Sequence, residues 1–260
     1  MILHRIAEHL RAQNWTAIVI EFVIVASGVF LGIQLGNWND QMREKESAEI
    51  LINALEAEFA LIEQRTLTSV EFHRENIASL TGVLTALERG SLAEEERELF
   101  ESGLRGAYMR ASYMGSTKLR ETVSSGRLGL VKDPQLLQAL LDYEQGTELA
   151  IRTAGEIRDI STQYVPAFTA RYSYDLSSDA ENLYRAGGKE EDGGGSAMGF
   201  GLSRIGDYDF DAMLADPQFA EAAEELRETQ RLWLNLRVIN LGRIRNVRLR
   251  IDAVKSGWEE

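Results

Sequence analysis

Apolar positions fall into three patterns along this chain, and each predicts a different kind of element. From Ala17 to Gly36 the run AIVIEFVIVASGVFLGIQLG holds one ionisable residue, Glu21, and tryptophans close it at Trp15 and Trp38. Twenty such residues cross a hydrocarbon core of about 30 Å as a helix, and the indoles would stand roughly 34 Å apart, at the two interfaces. Residues 15–38 are therefore expected to form a transmembrane helix anchored at both ends. The second pattern begins at Leu51, where apolar or small residues recur at 51, 55, 59, 62, 66, 70, 73, 77, 80, 84 and 87. Steps of four and three over that distance predict one helix over Gln41–Arg89, able to run on from the membrane helix and stopped by Gly90. The third lies near the C-terminus, where Phe219, Ala222, Leu226, Trp233, Leu236, Val247, Ile251 and Val254 form a seam on a helix over Pro217–Lys255.

Local stop and start signals divide the stretch between these seams. Ser91 with Glu94 makes a capping box for a helix over Leu92–Arg105. A shorter helix over Thr117–Ser124 ends at Gly126, and Leu128, Leu130 and Val131 lead from it as an apolar crossover. Asp133-Pro134 then supplies an N-cap and a first helical residue for a helix to about Tyr164, where Pro166 kinks or ends it. Asp216-Pro217-Gln218 repeats Asp133-Pro134-Gln135, either as a duplicated hairpin or as the same capping chemistry used twice. Between the two repeats, RAGGKEEDGGGSAMGFG reads as a flexible loop near 185–206. Its Gly193-Gly194-Gly195-Ser196 lacks the lysine and the strand-to-helix setting of a phosphate cradle.

The expected fold is all-α: one N-terminal transmembrane helix followed by an elongated antiparallel helical bundle with coiled-coil character over residues 39–260. Residues 1–14 suit an amphipathic segment at the cytoplasmic membrane surface, with Ile2, Ile6 and Leu10 on one side. Within the span, Glu21, Gly28 and Gly32 lie within about 20° of one line, with Gly36 one step aside. Gly28, Gly32 and Gly36 make a G-x-x-x-G ladder, which lets helix backbones approach closely in lipid and is the expected oligomer interface. Ser27 and Gln34 share a different face, so the helix has polar or small groups for neighbours on two sides. Glu21 either snorkels to the headgroups near Trp15 or is held at a helix interface or water-filled path.

Charge decides the partners. Arg5 and Arg11 offset Glu8 and Glu21, so the whole net charge of −13 belongs to the part after the span. An acidic domain repels nucleic acid, and the expected partners are membrane lipid together with a second copy or another membrane protein. Arg237, Arg243, Arg245, Arg248 and Arg250 make the last helix basic, which favours its antiparallel packing on the acidic long helix. Lys and Arg are balanced about the span, two on each side, and the acidity beyond it favours a cytoplasmic N-terminus. The expected location is a bacterial inner membrane, single-pass, with the C-terminal domain periplasmic. Ala26-Ser27-Gly28 has the small residues of a cleavage site, but the apolar run continues past it through VFLGIQLG. The chain has no cysteine, which excludes disulfides and thiol chemistry. Its three histidines form no catalytic or metal constellation: Glu71 and His73 lie two apart on different helix faces, and a buried, hydrogen-bonded His73 is expected instead. No enzyme, cofactor or metal site is expected, and no small-molecule ligand is identified.

The exit Gln34-Leu35-Gly36-Asn37-Trp38-Asn39-Asp40, the glycine ladder and the early acidic residue resemble a family of uncharacterised bacterial single-span membrane proteins. In that family a G-x-x-x-G span closes on Gln-x-x-Asn-Trp-Asn. Ser125-Gly126-Arg127-Leu128-Gly129-Leu130 with Asp133-Pro134 is similar to a recurrent element of the same family. The resemblance covers the first forty residues well and the rest loosely. It implies an anchored helical domain and carries no activity over to any residue. Two classes of function are then open: an oligomeric anchor or scaffold, and a sensor binding a ligand between bundle helices. A pore-like ring with Glu21 at its centre is a third.

Overall fold

The computed structural model describes residues 15–105, 115–175 and 204–258; for residues 15–19 and for Glu21 the description stops at the backbone. The amphipathic segment expected over residues 1–14 and most of the glycine-rich loop lie outside the described residues. The described residues form an all-α fold: α1 (Trp15–Arg89), α2 (Arg97–Arg105), α3 (Thr117–Ser124), α4 (Pro134–Thr169), α5 (Phe210–Leu214) and α6 (Pro217–Ser256). A two-stranded antiparallel sheet, β1 (Tyr172–Asp175) with β2 (Arg204–Tyr208), is the one exception among them.

Contacts divide the chain into two compact units between Asn53 and Ala54, each with its own organisation. The first holds the N-terminal part of α1, predominantly apolar as far as Gly36 and polar from Asn37 on. Its described side chains from Phe22 to Met42 are exposed, Phe22 at 71% and Trp38 at 62%. A predominantly apolar helix with no core to enter is what lipid solvates and water does not.

The second unit is a bundle of the rest of α1 with α4 and α6. Ion pairs set the antiparallel register of α1 and α6. Lys255 Nζ reaches Glu56 at 2.6 Å, Arg245 Nε reaches Glu63 at 2.8 Å, and Arg248 meets the other oxygen of the same carboxylate. Arg245 and Arg248 make the pairs expected between the basic last helix and the acidic first one, whereas Arg250 bonds Gln135 of α4, Arg243 lies against Gly146 of α4 and Arg237 lies near Trp233. Aromatic contacts tie in α4: Phe59 meets the Tyr143 edge at 4.8 Å, and Phe168 stacks on Phe219 at 4.9 Å. At one end Leu80, Val83 and Leu87 of α1 join Phe100, Leu104, Phe168, Met213, Phe219 and Leu226 in an apolar cluster. Short α2 reaches α1 through Gly103, where a Cβ would stand 2.6 Å from the Ser79 carbonyl oxygen. Only glycine permits that approach.

Helix ends follow local chemistry. Gly90 and Gly126 both take φ of 71°, the left-handed conformation that favours glycine, and end α1 and α3. Asp133 Oδ1 accepts from the Leu136 amide at 2.6 Å and Asp216 Oδ1 from the Gln218 amide at 3.0 Å, so the two Asp-Pro pairs open α4 and α6 with the same cap. Glu58 accepts the amides of Thr117 and Lys118 at 2.9 and 3.1 Å and the Ser116 hydroxyl, fastening the start of α3 to α1.

The long helix does run on from the apolar stretch before it, as one helix from Trp15 to Arg89, because nothing in the polar stretch after Trp38 breaks it. Three boundaries differ from expectation. The helix expected over Leu92–Arg105 starts as a 3-10 turn at Glu94–Glu96 and becomes α only at Arg97, because Ser91 accepts from Arg89 Nε at 3.1 Å and does not cap. Thereafter α4 passes through Pro166 to Thr169, since fully buried Phe168 secures its last turn. Finally, Arg204–Gly206, placed in the loop, belong to β2, where Ile205 pairs with Tyr174.

Candidate functional site

Two places carry groups whose arrangement exceeds what the fold needs. The first is the apolar N-terminal part of α1. It is long and apolar enough to cross a membrane, with a window of mean hydropathy 1.3 of which none is buried. Gly28, Gly32 and Gly36 lie along this stretch, and a Cβ built on any of the three meets nothing within 4 Å. The ladder is an open track of backbone. Ser27 and Gln34 are exposed on their separate face, and Trp38 is exposed at the helix exit. The side chains of Trp15 and Glu21 lie outside the described residues.

The second place is a polar stretch inside the bundle. His73 is fully buried, as its position on the seam predicts, and its Nδ1 lies 2.6 Å from Gln230 Oε1, so the ring N–H at that atom donates. Trp233 stacks nearly parallel to the imidazole at 5.9 Å between centroids. Arg237 sits one turn further along α6, 6% exposed, with its guanidinium carbon 5.5 Å from the Trp233 ring centre. Asn76 and Asn240 are also buried, and α4 adds small Ala154 beside Ile157 against Trp233. Among the described residues, His73 Nε2, Asn76 Nδ2, Trp233 Nε1 and Asn240 Oδ1 have no hydrogen-bond partner. Buried polar groups are nearly always paired, so such a concentration sets this stretch apart from the dry cluster at the bundle's end.

Burial pushes the His73 pKa below its ordinary value, and nearby Arg237 lowers it further, while the Gln230 bond works the other way. The fold thus holds His73 neutral, and the unfolded chain binds the extra proton. Stability is then fully present above pH of about 6.5 and falls as pH drops through that value towards the depressed folded pKa. Glu63, held below the usual carboxylate range chiefly by its Arg245 bond, loses its contribution only at more acidic pH. Urea midpoints measured between pH 8 and pH 5.5 should fall with acidity in the natural protein and stay flat in His73→Gln; equal slopes would remove His73 as the cause.

Sequence pattern marked His73 and Trp233, read Arg237 as a partner for the acidic long helix, and missed Asn76, Gln230 and Asn240. A signal was present. Trp233 stands on the apolar seam of α6, and polar Gln230, Arg237 and Asn240 continue its steps of three and four on either side. Beside this stretch the outer faces of α4 and α6 form an open groove of about 550 Å³ lined by Asp142, Leu149, Ile239, Gly242 and Arg243. The Arg243 side chain lies across Gly146, where a Cβ would meet its guanidinium carbon at 2.5 Å.

Comparison with family models, curated proteins and solved structures gives no match to this chain.

Proposed function

We propose that this protein is a single-pass anchor of the bacterial inner membrane that self-associates through its glycine ladder and presents a periplasmic helical bundle as an interaction surface. It acts by binding and not by catalysis. The observation carrying this reading is the bare track along Gly28, Gly32 and Gly36. In lipid no hydrophobic force drives helices together, so close backbone contact is what a second helix gains there. Ser27 and Gln34 on the other face suit hydrogen bonding to a further membrane helix. By its position in the sequence Glu21 falls on the same line of the helix as the ladder.

The chain contains no cysteine, so a single cysteine reports one contact. Val25 falls on the ladder line at 100° per residue and is 65% exposed. In membranes, oxidation of Val25→Cys is expected to give a covalent dimer, and Gly28→Leu/Gly32→Leu in that background to abolish it. A Val25→Cys chain that stays monomeric under oxidant would refute the ladder interface.

A sensor reading is supported by one different observation, the polar stretch of His73, Asn76, Gln230, Arg237 and Asn240. Helical bundles place ligand sites between facing helices, where few polar groups converge in an apolar wall. In this version a small polar ligand engages the mid-bundle layer and the signal passes to a membrane partner.

A further inference from the structure

We propose that the groove between α4 and α6 is the surface on which the bundle of a second copy of this chain docks. The inference rests on the self-association reading and extends it from the span to the bundle.

Three features of the groove point to a helix-bearing partner. Leu149 on α4 and Leu232 and Ile239 on α6 are 52%, 48% and 55% exposed, although neighbouring residues on the same helices are fully buried. Leu232 and Ile239 stand seven residues apart, two turns of one helix face, and Leu149 joins Ile239 as a wall of the groove. Scattered exposed leucines are ordinary; a row of them across two adjacent helices is an unpartnered face. Glycine lowers the floor. Gly242 is open, with nothing within 4 Å of a Cβ there, so another side chain can settle against the α6 backbone.

Charge identifies the occupant as a second copy. On this face α4 presents Asp142, while α6 presents Arg243 and Arg250. Arg245, Arg248 and Lys255 turn away to α1, where they meet Glu63 and Glu56, and Arg227 and Arg231 pair with Glu224 and Glu228 of α6 itself. Arg250 reaches across to Gln135 of α4 at 2.6 Å, so it lies on the groove side and meets a neutral group there. A two-fold axis running along the groove sets α4 of one copy against α6 of the other at the same level. Asp142 then faces Arg250 and Arg243 of the second copy, and Leu149 faces its Ile239 and Leu232. The two-fold repeats both the opposite-charge contact and the apolar contact beside it, a match that an unrelated helix would make only by chance.

The test uses single cysteines in the full chain in membranes, treated with a mild oxidant. Coexpressed Leu149→Cys and Ile239→Cys chains, carrying tags of different size, are expected to form a mixed disulfide dimer that Leu149→Cys with the control Leu67→Cys, 42% exposed on α1, does not form. Asp142→Arg in both chains should abolish that dimer, and Asp142→Arg/Arg250→Asp should restore it; far-UV circular dichroism checks that each exposed substitution leaves the fold intact. The proposal is overturned if the Leu149–Ile239 pair crosslinks no better than the Leu149–Leu67 pair, if the charge of Asp142 makes no difference, or if either cysteine joins only a chain of other mass. Val25→Cys separates the two ideas. A dimer at Val25 without the Leu149–Ile239 crosslink sinks the groove and leaves the span interface, and no dimer at either sinks both.

Discussion

Trp233→Ala is expected to cost the bundle about 3–5 kcal/mol, a large part of the net stability of roughly 5–15 kcal/mol that a domain holds. Trp233 is fully buried and is the largest such side chain in the described residues. Removing it strips Ala154 and Ile157 of their packing partner and takes away the ring stacked on His73 and lying near Arg237. The loss has two parts, the transfer of the indole to water and the cavity left among helices that cannot close around it. Water entering beside Arg237 would hydrate the guanidinium and hold the loss toward the lower figure. Trp233→Phe keeps a ring in place and discards an N–H that has no partner among the described residues, so it should cost less than about 1.5 kcal/mol. Urea unfolding followed by far-UV circular dichroism measures both. A loss below about 1 kcal/mol for the alanine variant would show that the polar stretch is not packed as described.

How much of this was legible depended on how local each cause was. Asp133-Pro134 and Asp216-Pro217 announce α4 and α6 because the carboxylate needs only an amide two or three residues ahead. Gly90 and Gly126 are legible for the same reason, each supplying a left-handed turn at its own position. The seam from Leu55 to Leu87 and the ladder of Gly28, Gly32 and Gly36 follow from helical period alone. Features set by neighbours in space were not legible. Tyr172–Asp175 reads as a strand only when Arg204–Tyr208 pairs with it across the intervening chain. Pro166 stops nothing because Phe168 finds Phe219. Gly103 looks like any helical glycine until α1 runs beneath it. The polar interior is the clearest case. A pattern that scores letters as apolar or polar sends Asn76, Gln230 and Asn240 to the surface, whereas α1, α4 and α6 enclose them. The groove was equally hidden, since Leu149 and Ile239 become one patch only once α4 and α6 are adjacent.

The apolar part of α1 is a different case, because the feature on which the proposed association rests is written in its own period. Glycines at 28, 32 and 36 leave the backbone uncovered along one line, and a leucine at two of them raises a wall on the approaching face. Because a Cβ at either position meets nothing within 4 Å, the substitutions leave the helix itself undisturbed, and any change they cause belongs to association. The most direct test is the mass of the full-length protein in a mild detergent, by light scattering with the detergent subtracted, for the natural chain and for Gly28→Leu/Gly32→Leu. The ladder predicts a defined oligomer that the double variant reduces to monomer. A natural chain that is already monomeric, or an oligomer that the two leucines leave unchanged, would contradict it.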